Sequence, residues 1–186
     1  MNSALRRIFR LLNKFFMVPV FRMGLGPFVG NPITGYIMVL KTIGCKTGLE
    51  RYAPVNYAIL DGDIYCLSGF GKIAHWYKNL QIQPQIDLIL PSATLSGTAA
   101  SVIDADERLR AARQILKNSG FAGFMAGYNA WKISDEDLRQ KGSEMIVIRI
   151  TPNGVLPGIA DPSGKLWLWL TLLVIALFVI LASVIW

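Results

Sequence analysis

Six short runs rich in β-branched and aromatic residues punctuate the chain: Tyr36–Ile43, Arg51–Leu60, Ile64–Leu67, Gln85–Leu90, Thr94–Ile103 and Met145–Thr151. Gly, Pro, Asn, Asp or Ser bound them, the pattern of strands separated by turns. Asp61-Gly62 joins the second and third as a two-residue hairpin turn, because both positions tolerate positive φ. A helical period replaces this pattern elsewhere. In residues 4–17, Leu5, Ile8, Phe9, Leu12, Phe15 and Phe16 fall on one face and Arg7, Arg10 and Lys14 on the other, until Pro19 ends or kinks the helix. Ile73–Gln81 predicts a short helix. Asp104–Lys117 predicts a longer one, with Asp104 as cap, Glu107 completing a capping box, and Leu109, Ala112, Ile115 and Leu116 as the buried stripe. The aromatic, glycine-rich stretch 121–131 reads as a further short helix over the sheet, and Ser134–Lys141 as a surface loop or a turn of helix. Leu166–Trp186 holds 21 residues without a charge. As a helix it spans roughly 31 Å, the hydrocarbon thickness of a bilayer, with Trp167, Trp169 and Trp186 at the two interfaces.

Composition sharpens the ends of the chain more than its middle. The protein is 53% hydrophobic and only 17% charged, apolar for a globular domain. Residues 1–30 carry Arg6, Arg7, Arg10, Lys14 and Arg22 and no acid, so most of the net +7 sits there. A basic arm and an apolar tail on a nearly neutral middle point to a membrane surface and away from nucleic acid. The first helix fits an anionic leaflet, and it equally fits ordinary packing with a solvated basic face. Lys14 and Arg22 interrupt the apolar run that a signal peptide would need. Cys45 and Cys66 have no metal-ligand spacing, and the lone His75 cannot build a histidine metal site, so no metal is expected.

The chemistry is concentrated in the turn Gly44-Cys45-Lys46-Thr47-Gly48 and in Arg51 behind it. A phosphate loop of the nucleotide triphosphatases needs Gly directly before the Lys and another five residues earlier, where this chain has Cys45 and Leu40. A dinucleotide fingerprint and a G-x-S-x-G elbow are also missing. What remains is a turn whose backbone N–H groups could form an anion nest, with Lys46 and Arg51 adding charge for a phosphate or carboxylate. A solvated hairpin tip has the same composition.

Gly44-x-Lys46-Thr47-Gly48-x-x-Arg51-x-x-Pro54, Asp61-Gly62-Asp63, Ser68-x-x-Gly71 and Trp76-x-x-Asn79-Leu80, in this order, resemble the deazaflavin-dependent nitroreductase family over roughly residues 32–152. The resemblance implies an α+β chain with a split β-barrel, FMN-binding-like and antiparallel with about six strands, and a cofactor, coenzyme F420. It also implies roles. Lys46, Thr47 and Arg51 would hold the cofactor phosphate, with Gly48 in the same cofactor-binding turn; Pro54 and Val55 would shape the groove; Ser68, Gly69 and Gly71 would line the deazaflavin ring; Trp76 and Asn79 would secure the closing helix. Tyr128, a loose match to a tyrosine near the substrate, and Lys72 at the glycine loop are the candidate catalytic donors to an acceptor that gains negative charge; an aromatic packed over the sheet and a solvated lysine are the plain alternatives. His75 stands where the family commonly has proline, and Phe70 replaces a small residue in the glycine bend.

The resulting expectation has four parts: residues 1–31 as basic amphipathic helix and loop, 32–152 as the cofactor-binding barrel, 153–165 as linker, and 166–186 as a transmembrane helix. The protein is expected to be a membrane-anchored oxidoreductase of nitroreductase or quinone reductase type. It would pass a hydride from reduced F420 to a lipophilic acceptor such as a quinone or nitro compound. Membrane lipid would be a partner, with a single C-terminal span in the cell membrane, a cytoplasmic catalytic domain, and room for a homodimer. Two alternatives stand beside it: an FMN-dependent split-barrel oxidoreductase, and a non-catalytic membrane protein that binds a cofactor or lipid.

Overall fold

The computed structural model describes residues 11–69, 71–120, 123, 133–142, 146–153 and 166–185. Strands β1 (Ile37–Ile43), β2 (Glu50–Leu60), β3 (Asp63–Ser68), β4 (Gln85–Ile89), β5 (Thr94–Ser101) and β6 (Ile146–Pro152) close into an antiparallel barrel in the order β1-β2-β3-β6-β5-β4. Side chains alternate across each strand, so one set fills the barrel and its neighbours face outward. Met38, Leu40, Tyr57, Ile64, Cys66, Leu88, Ile148 and Ile150 form the interior. Val39, Ala58, Tyr65 and Val147 are buried on the outside, under helices.

Those helices are α1 (Val18–Arg22), entered through a π-helical turn Asn13–Met17, α2 (Gly26–Val29), α3 (His75–Ile82), α4 (Ala105–Asn118), α5 (Asp135–Gly142) and α6 (Leu166–Ile185). α3 sends Leu80 into the barrel interior, and α4 lays Ala111, Ala112 and Ile115 on the outer wall. Pro19 lies in the first turn of α1, directly after the π-helical turn, and the helix continues past it to Arg22. The face that docks differs from the one expected. Met17 and Phe21 are buried against Val39, whereas Leu12, Phe15 and Phe16 are exposed. The wider π turn before α1 shifts the buried stripe. Burial of Phe21 contributes roughly 1.5–3 kcal/mol. The rest of the expected basic helix, residues 1–10, lies outside the described residues.

α5 was expected as a surface loop or a turn of helix, and it is a full two-turn helix. Ser134 caps it: its Oγ accepts from Asp137 N at 3.0 Å and donates to Asp137 Oδ2 at 2.7 Å. The signal, Ser three residues before an acid, was in the sequence. Ion pairs Arg113–Asp135 and Arg139–Asp106, with Leu138 against Leu116, fasten α5 to α4.

Asp104 caps α4 as expected, accepting from Glu107 N at 2.7 Å. The second arm of the capping box does not form. The Glu107 carboxylate turns to the barrel wall, accepting from Tyr65 Oη at 2.9 Å and Arg149 Nη1 at 3.1 Å. Burial first, and the Glu107 hydrogen bond second, push the Tyr65 phenol up from 10.0 to about 12. A raised acid binds its proton more tightly when folded, so its contribution is complete below pH 10 and lost as pH rises through about 12. Urea denaturation midpoints should therefore fall between those pH values, and Tyr65→Phe should remove that part of the decline. A slope equal to wild type would dismiss the assignment.

Among the described residues no helix is long and apolar enough to cross a membrane. This overturns the expected transmembrane helix. The membrane-anchored form of the activity, the cell-membrane location with its cytoplasmic domain and the membrane-lipid partner were argued from that span together with the basic N-terminal helix, and without the span they fall. The described part of α6 packs beside α2 and leaves Leu173, Phe178 and Ile180 exposed.

One stagger in the barrel matters for function. β1 pairs with β2 over Glu50–Asn56, but β3 pairs with it only over Tyr57–Leu60. Tyr57 N donates to Tyr36 O, so odd-numbered β2 residues turn their backbone groups to β1 and even-numbered ones turn them away. Among the described residues, the outer half of β2 thus has one edge with no strand beside it. Pro54, which has no N–H to give, falls on that edge.

Candidate functional site

The turn that joins β1 to β2 is tightly bonded within itself. Gly44 N donates to Leu49 O at 2.8 Å, and Thr47 N and Gly48 N donate to Gly44 O at 3.1 and 2.8 Å. Leu49 N reaches Thr47 Oγ1 at 3.4 Å, and Cys45 N reaches Asn79 Oδ1 at 3.1 Å. Gly48 has φ +66, which a side chain would strain. These bonds correct the expected nest. The backbone amides of residues 44, 45, 47, 48 and 49 are already committed, so the turn offers an anion its side chains. Arg51 folds back over the turn, donating from Nη2 to Thr47 Oγ1 at 3.3 Å. Lys46 stands exposed at the tip.

Beside the turn lies an open groove of about 980 Å³. One side is the bare outer half of β2, with Arg51, Ala53 and Pro54. The other is the start of α3 with the residues before it, Ile73 to Trp76, together with Lys78 and Asn79. Asn13, Lys14 and Val18 of the N-terminal helical segment complete it. Four cations, Lys14, Lys46, Arg51 and Lys78, line the groove against one carboxylate, Glu50. Glu50 is already compensated. Lys41 Nζ lies 2.8 Å from its Oε1, and Tyr52 Oη donates to its Oε2 at 2.8 Å. These two partners hold the Glu50 carboxyl below its ordinary range, Lys41 first. Lys41 also reaches Asp87 at 3.5 Å, and its pKa is raised, chiefly by the Glu50 hydrogen bond. The groove therefore presents net positive charge to a ligand.

The structure brings Lys46, Thr47, Arg51, Pro54, Trp76 and Asn79 to this groove. Gly48 shapes the turn, and Val55 packs against the barrel interior. The serine–glycine bend behaves differently from expectation. Ser68 is 1% exposed, and its Oγ donates to Gly71 O at 2.8 Å, closing the bend on itself. Ser68, Gly69, Gly71 and Lys72 are not among the groove's lining residues; the groove meets that segment at Ile73 and Ala74. Tyr128 lies outside the described residues.

Lys14, Glu50, Tyr52 and Lys78 line the groove without having been expected there from the sequence. Glu50 and Tyr52 flank Arg51 in the same strand, which was the available signal. Nothing local in the sequence places Lys14 there, because α1 reaches the groove only through tertiary packing of Met17 and Phe21. Burial pushes the Cys66 thiol up to about 12, so it stays protonated and inert. Cys45 is exposed in the groove wall.

The model of the F420H(2)-dependent quinone reductase family matches residues 17–128. No curated protein matches the chain. Solved structures do. A conserved hypothetical protein from Mycobacterium tuberculosis is 18% identical over 74% of this chain and 89% of its own, with a TM-score of 0.50. An F420-H2 dependent reductase, FDR-A, is 18% identical over 61% and 92%, with a TM-score of 0.40. General Stress Protein 26 from Bacillus anthracis str. Sterne is 12% identical over 72% and 90%, with a TM-score of 0.42. At such identities, the first of these speaks to the fold alone.

Proposed function

Because the chain belongs to the F420H(2)-dependent quinone reductase family, we propose that it is an F420-dependent reductase whose groove grips the cofactor's phosphate with Lys46, Thr47 and Arg51. Membership supports oxidoreductase activity in general; the choice of F420 and the roles of these residues are our reading. The observation that supports it most is the convergence of Lys46, Thr47 and Arg51 at one end of a groove with compensated acid and net positive charge.

When bound, the deazaflavin supplies the hydride. The chain supplies grip, orientation and shelter. Arg51 presents guanidinium N–H groups to a phosphate while Thr47 fixes their direction, and Lys46 adds a mobile charge. The bare edge of β2 gives a flat ring a straight border, and Trp76 lines the same groove. The acceptor named in the family description, a quinone, is the substrate to test, in a short-chain form.

FMN is the second reading. A phosphate grip of this kind does not by itself distinguish one flavin-like ring from another. Titration of the purified full-length protein with F420 and with FMN separates the two, read by cofactor fluorescence and by protection of Cys45 from a maleimide. F420 should bind at least tenfold more tightly than FMN and slow Cys45 labelling. Tighter FMN binding would reassign the cofactor, and binding of neither would end the proposal.

A further inference from the structure

Beneath the cationic turn, two polar side chains are buried where β1, β2 and α3 meet. Thr42 is 2% exposed and Asn79 5%. Asn79 Nδ2 donates to Thr42 Oγ1 at 3.0 Å. Thr42 Oγ1 in turn donates to Arg51 O, a longer contact of 3.5 Å. The other end of the same amide, Oδ1, accepts from Cys45 N at 3.1 Å. The directions are fixed by chemistry. A backbone N–H can only donate, so Oδ1 must face Cys45, and Nδ2 must then face Thr42. With its oxygen accepting from the amide, the threonine hydroxyl sends its proton to the Arg51 carbonyl. One amide and one hydroxyl thus tie α3 both to the residue before Lys46 and to the backbone of Arg51.

We propose that Thr42 and Asn79 form a positioning relay that sets the spacing of Lys46 and Arg51, so that the grip on an anionic ligand depends on the seating of α3. This rests on the reading of the groove as a phosphate site. Neither residue needs to touch the ligand: both polar ends of the Asn79 amide are occupied, and Thr42 lies behind the wall. A buried network of this kind works only when complete, because each member left unmatched carries a desolvation cost. α3 is a natural clamp, since Leu80, next to Asn79, anchors it in the barrel.

Thr42→Val keeps the shape and removes the hydroxyl. With F420 and FMN as probes, it should weaken binding at least tenfold and raise the cofactor KM by the same factor, while kcat changes less than twofold. Exchange of the Cys45 amide and maleimide labelling of Cys45 should both quicken at least tenfold. Thr42→Ser should restore all of these to within threefold of wild type. A role in stability alone would lower the melting temperature and leave affinity unmoved in the folded range. Asn79→Asp is the second variant, for the case that Thr42→Val does not fold. It keeps an acceptor for Cys45 N but turns the Thr42 hydroxyl toward itself and away from Arg51 O, so binding should again fall at least tenfold. Wild-type affinity in either folded variant overturns the relay and leaves the proposed function standing. If the wild type binds neither probe, the proposed function fails instead, and the relay is judged by Cys45 amide exchange: unchanged exchange in the variant refutes it, faster exchange supports it.

Discussion

Arg51→Ala should weaken F420 binding between about tenfold and about a hundredfold, and Lys46→Ala with Arg51→Ala together should abolish binding at micromolar cofactor. The magnitude follows from the class of contact. Hydrogen bonds to charged groups contribute about 1.5–3 kcal/mol, and 1.4 kcal/mol is about tenfold in affinity. Arg51 is the stronger partner because its guanidinium is already held by Thr47 Oγ1, so less side-chain freedom is lost on binding. Lys46, exposed and mobile, should contribute less alone and show more sensitivity to salt. The acid in the same wall, Glu50, does not oppose the ligand, since Lys41 and Tyr52 hold it. Fluorescence titration at two salt concentrations measures both effects. Unchanged affinity in the double variant would remove the phosphate grip from the account.

Gly35→Ala should cost about 3 kcal/mol or more of folding stability. Two glycines meet nose to nose where the chain enters β1 and leaves α4. A Cβ on Gly35 would lie 2.6 Å from Ser119 O, and one on Gly120 would lie 2.6 Å from Gly35 N. Both obstacles are backbone, which cannot rotate aside. Gly35 also has φ +107, a conformation that costs an L residue on the order of 1–3 kcal/mol before any contact is counted. Next to it, Tyr36 N donates to Asn118 O at 2.7 Å, and Asn118 Nδ2 donates to Tyr57 O at 3.1 Å. Displacing Gly35 therefore disturbs α4, β1 and β2 at once. Chemical denaturation should show the loss, with a melting temperature lower by about 10 °C. A midpoint within experimental error of wild type would show that the loop moves freely.

Much of this architecture could be read from local pattern. Every strand fell within a residue or two of its expected bounds, because each run ends at a turn residue whose backbone preference is strong. Asp61 and Gly62 both have positive φ, as their hairpin requires, and Asp104 caps its helix. The cluster of Lys46, Thr47 and Arg51 was also legible, since a hairpin tip brings close neighbours together whatever the rest of the fold does. What failed depended on tertiary partners. The turn amides could form a nest only if nothing else claimed them, and Asn79, thirty-four residues on, claimed one. Glu107 left its capping position because Tyr65 and Arg149 wait on the wall beneath it. Ser68 was aimed at a ring by resemblance and at Gly71 by its own surroundings. The apolar run after Lys165 was read from its length, its lack of charge and its flanking tryptophans, and the described residues hold no helix that meets the requirement.

The bare border of β2 has one more consequence. A row of unmatched peptide groups is an invitation for a neighbouring molecule to add a strand, the first step toward fibrils. Here Pro54 withholds a donor at the middle of that row, and Glu50 and Arg51 place charge at its outer end. The proline on this open border thereby makes it a poor seed for self-stacking, so an empty groove does not turn the protein into its own template.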